Sequence, residues 1–259
     1  MWIIDLTFLQ ESVEIFEKFF IEKYYKIHTY SGRCFLIINS AKNYPHLVGI
    51  HRQQLSRLGG SEYLFNSIKN NDTTNWSTQM KRVFNNIYPN CIPYGNNDIK
   101  ITFFPLMPDI FVSNNYVISV NYDRTKRMDN NPFDTEILIS DFNDGMSIGM
   151  RQRADGSFGF NSWRVEENEE KIMDLYSFQE IDLIKTIEQY EQNNIVFTKE
   201  QKLSRKNLWR LSRMVKHRSV SIVESEIKEQ ILLLAKYDDF EFNKAFGVSV
   251  LKINDYFSR

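Results

Sequence analysis

Residues 24–52 read YYKIHTYSGRCFLIINSAKNYPHLVGIHR and set the order of the first elements. β-branched and aromatic residues on both sides of Ser31-Gly32 predict a hairpin whose strands run over 24–29 and 33–39. A helix is expected over 45–59, because this segment starts with a proline and ends at a glycine pair, which favours a left-handed stop. The stretch therefore predicts two paired strands followed by a helix.

Elements of both kinds surround this stretch. Apolar residues at helical spacing predict an amphipathic helix over 9–24, and weaker patterns predict helices over 62–69 and 78–87. Capping-box patterns indicate two more helices near the C-terminus, over 198–217 and 221–237. Alternating patterns and turn signals predict strands at 99–104, 116–122, 135–142, 146–153 and 157–165.

This order of elements predicts an α+β fold, with N-terminal helices packed on a twisted, mainly antiparallel sheet and a helical extension at the C-terminus. The length of 259 residues favours one elaborated domain over two large ones. We therefore expect a core over 1–195 and a basic helical extension over 196–259 that packs on it.

Composition favours a protein of a reducing compartment. Cys34 and Cys91 are the two cysteines, too few for a disulfide framework, and neither belongs to a CxxC pair. The N-terminus lacks the basic segment of an export signal, and the apolar runs are far shorter than the ~20 residues that span a bilayer. We expect a cytoplasmic location and no membrane partner.

Charge is balanced overall and uneven along the chain. A net charge of −1 gives no general reason to expect nucleic-acid binding. Residues 164–191 hold nine acids and three bases, whereas 199–218 hold eight bases and one acid. The helix expected over 198–217 thus has a basic side suited to nucleic acid, or to docking on the acidic segment. The candidate nucleic-acid contacts on that side are Lys206, Trp209, Arg210 and Arg213.

The helix expected over 45–59 carries two histidines. At about 100° per residue, His46 falls on the polar face with Gln53 and Arg57, which we interpret as nucleic-acid-binding residues. His51 falls within the apolar stripe and is expected to be a core histidine. His46 lies at the helix start, where free N–H groups and the helix dipole favour a phosphate. It is the candidate catalytic residue, although many surface histidines have no function.

The strands over 146–153 and 157–165 form a second candidate surface. A two-residue turn at Asp155-Gly156 pairs Arg153 near Phe158 and alternates the side chains between faces. Guanidinium groups beside aromatic rings suit RNA phosphates and bases. The alternative is that the phenylalanines are buried and the arginines pair with acids, and a bulge would change the assignment. The residues expected on this face are Arg151, Arg153, Phe158, Phe160 and Ser162.

Familiar catalytic motifs are missing from the sequence. It contains no HExxH, no Walker loop, no GxSxG, no GxGxxG and no Cys/His ligand spacing, so we expect neither a metal nor a cofactor. Pro108-Asp109 starts a restriction-type PD-(D/E)xK pattern that the following strand does not complete.

Residues 24–52 resemble the start of the phage-associated barnase–EndoU–colicin E5/D–RelE-like nucleases, in the fourth such family. Members show a hairpin followed by the pattern F/Y-x-HL-x-G-(L/I)-H-(K/R). Residues 148–165 resemble the family's late strands, which end in a serine and an aromatic residue, here Ser162-Trp163, without the family's usual proline. The positions that match the first pattern are Tyr44, His46, Leu47, Gly49, Ile50, His51 and Arg52.

The resemblance implies that the core over 1–195 is a nuclease core of this family. It further implies an endoribonuclease of a toxin or phage conflict, which cleaves RNA without a metal and leaves a 2′,3′-cyclic phosphate. His46 would be the base or the acid, Arg151 and Arg153 the cations, and Ser162 a further catalytic residue. RNA would be the substrate, with DNA as a possible one, and an antitoxin or immunity protein a possible partner. The alternatives are a DNA-acting restriction enzyme or glycosylase, and a non-catalytic nucleic-acid-binding module.

Overall fold

The strands of the described residues belong to one sheet. The structure, a computed structural model, describes residues 4–112, 117–121, 135–142, 145–166, 169–201, 203–223 and 225–235. The strands are β1 (Lys23–Thr29), β2 (Cys34–Ile37), β3 (Val117–Asn121), β4 (Ile137–Asp141), β5 (Met146–Gln152), β6 (Phe158–Val165), β7 (Glu180–Asp182), β8 (Ile184–Glu191), β9 (Asn194–Glu200) and β10 (Ser221–Ile222).

Their order across the sheet is β10-β7-β3-β4-β5-β6-β2-β1-β8-β9. Within the described residues, β2 with β6 and β7 with β10 are parallel pairs, and the other neighbours are antiparallel. Helices precede, interrupt and follow these strands. The α+β fold with a mainly antiparallel sheet is therefore confirmed.

The helices are short, and most lie before the central strands or after them. Their bounds are α1 (Thr7–Phe16), α2 (Tyr44–Leu47), α3 (Arg52–Leu55), α4 (Ser61–Lys69), α5 (Thr78–Ile87), α6 (Asn96–Thr102), α7 (Asp109–Val112), α8 (Glu169–Leu175), α9 (Arg205–Arg218) and α10 (Ser225–Leu234). A π-helical turn (Glu17–Ile21) extends α1, and 3₁₀ turns lie at Ser56–Leu58, Pro89–Cys91 and Phe104–Leu106. None of the helices in the described ranges is long and apolar enough to cross a bilayer.

Helices pack on both faces of the sheet, because side chains alternate between the faces along each strand. In β4, Ile137 and Ile139 join a core with the N-terminal helices, whereas Leu138 joins a second core. The second core also contains Leu211 of α9 and Ile231 of α10. The C-terminal helices thus pack on the sheet opposite the N-terminal ones.

The boundary expected between residues 195 and 196 falls inside β9. This strand pairs with β8 from Asn194 to Glu200, and β8 pairs in turn with the whole of β1. The sequence pattern predicts neither strand. In β8, acids and amides at the exposed positions hide the alternation of the buried positions. The expected helix start at Thr198 is wrong, since this residue lies within β9.

Three other sequence predictions are corrected or confirmed by local chemistry. The strand predicted over 99–104 is wrong, because these residues lie in α6 and the following 3₁₀ turn. α9 begins after Ser204, whose hydroxyl accepts the N–H of Asn207 at 3.3 Å. α5 begins and ends where the pattern predicts, with the Ser77 hydroxyl accepting the N–H of Met80 at 3.2 Å.

Candidate nucleic-acid cleft

The site lies where β2 and β6 separate. These parallel strands share the pair Ile37–Phe158. Beyond this pair, the backbone of β6 forms hydrogen bonds with side-chain amides instead of with β2. Asn39 Oδ1 accepts the N–H of Phe160 at 2.8 Å, and Asn43 Nδ2 donates to the carbonyl of Phe160 at 2.8 Å. These amides bond the N–H and the carbonyl of Phe160, so β6 needs no further strand partner at this residue. α2 begins directly beside β6, and a cleft opens between the two elements.

The helix expected over 45–59 is broken, and the break changes the site. Gly49 has φ +90°, so the chain leaves α2 and turns before α3 begins. The Asn97 side chain fills the space where a side chain at position 49 would lie, since an added Cβ would meet Asn97 Oδ1 at 1.8 Å. Glycine is required here for both its dihedral angle and its size.

The prediction that His51 is a core residue is therefore wrong. His51 is exposed at the N-cap of α3 in an extended conformation, and Gln54 Oε1 accepts its N–H at 2.7 Å. His46 is half-buried at the end of α2, and both histidines line the same cleft. A rigid helical projection places them on opposite faces, whereas the turn at Gly49 brings them together.

The cleft has a volume of about 750 Å³. Among the described residues that line it, lysine, arginine and histidine are frequent, the other polar groups are amides, and no carboxylate is present. A lining of this composition favours an anionic ligand such as a phosphate. The lining residues are Lys42, Asn43, His46, His51, Arg52, Gln53, Gln54, Arg151, Gln152, Arg153, Gly159, Phe160 and Asn161.

Arg151 and Arg153 both line this cleft at the end of β5. Arg153 Nη2 donates to Asn43 Oδ1 at 2.7 Å, and the guanidinium lies against the backbone of Gly159. A Cβ at Gly159 would approach Arg153 Nε and Nη2 to 2.8 Å, so a larger residue there would displace the guanidinium. Arg151 pairs with Gly159 across the strands and has an exposed side chain.

The expected placement of the two phenylalanines is wrong because β6 contains a bulge at Asn161. Gly149 pairs with Ser162, but Met150 pairs with Phe160, so the register shifts by one residue. The shift turns the phenylalanines to the core face. Phe160 is 1% exposed, and Phe158 is half-buried with its ring edge-on to Phe35 at 5.7 Å. Phe160 therefore offers no open ring face to a base.

Ser162 remains on the face that pleat alternation predicts, yet it does not reach the cleft. Its Oγ is buried without a hydrogen-bond partner in the structure, and the residue is not among those that line the cleft. The placement gives no support to a catalytic role. Gln53 lines the cleft as expected, whereas Arg57 is exposed on the following 3₁₀ turn, outside the lining.

The surroundings of His46 favour its neutral form. Partial burial is the main cause that lowers its pKa, since the imidazolium loses solvation. Positive charge at His51 and Arg52 lowers the pKa further, and Lys100 adds a smaller effect. A hydrogen bond with the backbone of Ile50 opposes these effects in part. A neutral imidazole is able to accept a proton.

Two arginines on the basic side of α9 pair with carboxylates of the acidic segment. Arg210 is 4% exposed and holds Glu169 with two hydrogen bonds, at 2.9 and 3.1 Å. Arg213 contacts Glu170 at 2.8 Å and lies 4.8 Å from the ring centroid of half-buried Trp209. The alternative in which this helix docks on the acidic segment is confirmed for these residues. The side chain of Lys206 is not among those described.

Similarity to known proteins agrees with the geometry of the cleft. A family model described as phage-Barnase-EndoU-ColicinE5/D-RelE like nuclease4 matches residues 8–213. The chain belongs to this nuclease family. The match includes β7, β8, β9 and part of α9, well beyond the motifs at 24–52 and 148–165. No curated protein and no solved structure matches the chain.

Membership in this phage-associated nuclease family makes a nucleic acid the substrate. Sequence reasoning found His46, Arg151, Arg153, Gln53 and Phe160 but missed other cleft residues. Polar residues between a buried strand and a helix-starting proline, as in NSAKNYP, are a usable signal for the amides. The missed residues are Asn43, which holds Arg153, together with Lys42, His51, Arg52, Gln54, Gln152, Gly159 and Asn161.

Proposed function

We propose that the chain is a metal-independent endoribonuclease that cleaves RNA by attack of a 2′-hydroxyl on the adjacent phosphate, leaving a 2′,3′-cyclic phosphate. The observation that carries the proposal is that His46, Arg151 and Arg153 line one cleft whose described lining has no carboxylate. Family membership supports nuclease activity in general. The finer assignment rests on the chemistry of the cleft.

The reaction needs a base, an acid and positive charge. His46 accepts the 2′-hydroxyl proton, because burial and neighbouring charges keep it neutral. His51 follows the Gly49 turn in the same cleft and protonates the leaving 5′-oxygen. The oxygen of the 2′-hydroxyl forms the new bond to phosphorus, and the bond from phosphorus to the 5′-oxygen breaks.

The arginines stabilise the charge that develops on the phosphorane. Arg153 is fixed by Asn43 and by the backbone of Gly159 before substrate binds, so little reorganisation is needed. Arg151, two residues earlier on β5, supplies a second guanidinium. Preorganised charge of this kind contributes roughly 3–4 kcal/mol per donor to the transition state. The polar groups along the described lining are cations and amides, which suit a phosphate. Magnesium prefers sites that supply carboxylates.

The proposal is tested with purified protein and total RNA in EDTA. The expected result is RNA cleavage whose products carry 2′,3′-cyclic phosphate ends, together with loss of cleavage in His46→Ala. His217→Ala is the matched control, because this histidine is exposed on α9, outside the cleft lining. Intact RNA, cleavage that His46→Ala leaves unchanged, or cleavage of DNA alone would contradict the proposal.

An inhibitory protein partner forms a further part of the proposal. A ribonuclease of a toxin or phage-conflict system requires protection of the host's own RNA, and a cleft lined by Lys42, Arg52, Arg151 and Arg153 favours an acidic inhibitor. Expression of the wild-type chain alone is expected to arrest growth, and the His46→Ala chain is expected to be tolerated. Equal tolerance of both chains would contradict a toxic role.

A further inference from the structure

A second cavity lies along helix α5, and we call it the α5 cavity. Its volume is about 480 Å³, within the range of pockets that hold a small organic molecule. Among the described residues, none lines both this cavity and the cleft. Thr74 and Trp76, which precede α5, form one part of the wall. The other part consists of polar residues of α5, namely Thr78, Lys81, Arg82, Asn85 and Asn86.

The sequence of α5 separates its apolar residues from its polar ones. Phe84 and Ile87 are buried and belong to the core that contains the N-terminal helices. The cavity residues of α5 recur at spacings of three and four from Thr78, which places them on the opposite face of the helix. No acidic residue occurs between Asp72 and Asp98. The polar face of α5 therefore carries cations without carboxylates.

Two cations, Lys81 and Arg82, line the α5 cavity. Arg82 is exposed and Lys81 is half-buried, and neither forms an ion pair with an acid of the part of the chain that the structure describes. Asp72 lies outside the described lining, and its Oδ1 accepts the N–H and the hydroxyl of Thr74 at 2.8 and 2.6 Å. The positive charge of the cavity is therefore available to an anionic ligand.

Parts of the wall are held in place by contacts within the protein. Trp76 is 4% exposed, its ring lies edge-on to that of Phe84 with 5.2 Å between the centroids, and its Nε1 donates to Ser67 Oγ at 3.2 Å. Asn85 Oδ1 accepts the N–H of Asn90 at 3.0 Å, which leaves the Nδ2 group of Asn85 as a donor. Groups that are fixed before a ligand arrives lower the entropy cost of binding.

We propose that the α5 cavity is a second binding site, which takes a nucleotide with its phosphate on Lys81 and Arg82. The guanidinium of Arg82 offers paired donors to phosphate oxygens, and the ammonium of Lys81 adds a compact charge. The amides of Asn85 and Asn86 suit the edge of a base, because an amide both donates and accepts. The volume leaves room for a sugar and a base beside the phosphate. This site goes beyond the proposed ribonuclease function.

Free mononucleotides are one source of this chemistry, and the first arm of the test uses adenosine 5′-monophosphate (AMP). Isothermal titration calorimetry compares AMP with adenosine, which lacks the phosphate and should bind at least about tenfold more weakly. Arg82→Ala should weaken AMP binding by roughly tenfold or more, as loss of a hydrogen bond to a charged group does. Lys81→Gln should act in the same direction. Lys185→Ala is the matched control, since Lys185 is an exposed cation of β8 outside both described linings.

An RNA chain is the other source of a nucleotide, and the second arm uses RNA. Binding of a labelled single-stranded RNA of about ten nucleotides is measured by fluorescence anisotropy in the His46→Ala background. If AMP binding depends on Arg82 and RNA affinity does not, the site takes a free mononucleotide. If Arg82→Ala weakens RNA binding instead, by roughly tenfold, the site takes one nucleotide of an RNA chain. Circular dichroism first shows that each variant is folded.

Three outcomes overturn the second site. The first is that Arg82→Ala changes the affinity for neither AMP nor RNA. The second is that adenosine binds as tightly as AMP, which removes the role of the phosphate. The third is loss of AMP binding in Arg52→Ala with binding intact in Arg82→Ala, which places the nucleotide in the cleft. Since each arm measures binding and not cleavage, the result stands whether or not the wild-type chain is a ribonuclease.

Discussion

The cleft and helix α9 are both rich in cations, yet the fold uses them differently. Along the cleft, Arg52 and Arg153 face a described lining that contains no carboxylate. Along α9, Arg210, Arg213 and Arg218 each contact a carboxylate of the segment that includes α8. The difference teaches that a basic cluster in a sequence indicates nucleic-acid binding only when no acidic segment folds onto it.

The largest expected effect is a loss of folding stability, caused by a substitution on α9. Arg210→Ala leaves the partly buried Glu169 without its two hydrogen bonds and should lower the free energy of unfolding by about 2–4 kcal/mol. Arg52→Ala, at an exposed cleft position, should change it by less than about 0.5 kcal/mol. Urea denaturation of both variants checks this contrast. Equal losses would show that the cleft arginine is structural as well.

The next largest expected effect is a loss of nucleic-acid affinity, caused by a substitution in the cleft. In the His46→Ala background, Arg52→Ala should weaken RNA binding by roughly tenfold and reduce the salt slope by about one. Lys216→Ala on α9 removes an exposed cation outside the cleft and should leave affinity and slope unchanged. Binding isotherms at several salt concentrations measure both quantities. A slope that falls with Lys216→Ala would extend the RNA surface to α9.

A third contrast concerns Lys199 of β9, a cation buried outside the cleft. Its Nζ donates to the carbonyl of Ile110 at 3.3 Å, and burial lowers its pKa to about 8 despite the nearby carboxylates of Asp141 and Asp109. The unfolded chain binds this proton more tightly, so stability should rise as pH increases from about 8 toward 10, by on the order of 1 kcal/mol. Denaturation midpoints across that range measure the rise, and Lys199→Met should remove it.

The smallest effect is a shift of a pH midpoint in the cleft. The lowered pKa of His46 means that the free protein carries the neutral base at a lower pH than an exposed histidine would. The acidic limb of kcat/KM should therefore have its midpoint below about 6.5, the ordinary histidine value. Because the unfolded chain binds the His46 proton more tightly than the folded chain, the contribution of His46 to stability is complete above about pH 6.5. This contribution is lost as the pH falls through the lowered pKa of His46. Arg52→Ala should move the midpoint upward, because Arg52 is one cause of the lowered pKa.

Local signals predicted much of the fold correctly. Ser77 and the pattern that follows it fix α5 at both ends, and the Ser31-Gly32 turn predicts the β1–β2 pairing. β8 was missed because charged and amide residues fill its exposed positions. Its pairing with β1 joins residues about 160 positions apart, which periodicity in a short window does not detect.

The candidate site was predicted in part, and two single residues account for the errors. Gly49 breaks a helix that periodicity treats as continuous, so His51 was placed in the core although it lines the cleft. Asn161 forms a bulge that turns Phe158 and Phe160 to the core face, while residues on the other side of the bulge keep the predicted face. Neither break has a strong signal of its own, because each depends on contacts with distant residues.

The central claim is that the cleft, and not α9, acts on RNA. The most direct measurement compares cleavage of one RNA oligonucleotide in EDTA by the wild-type chain, Arg153→Ala and Arg213→Ala, after each variant is shown to be folded. Arg153→Ala should lower kcat by roughly a hundred- to a thousandfold, and Arg213→Ala should cleave at the wild-type rate. Unchanged cleavage by Arg153→Ala, or loss of cleavage in Arg213→Ala alone, would contradict the account.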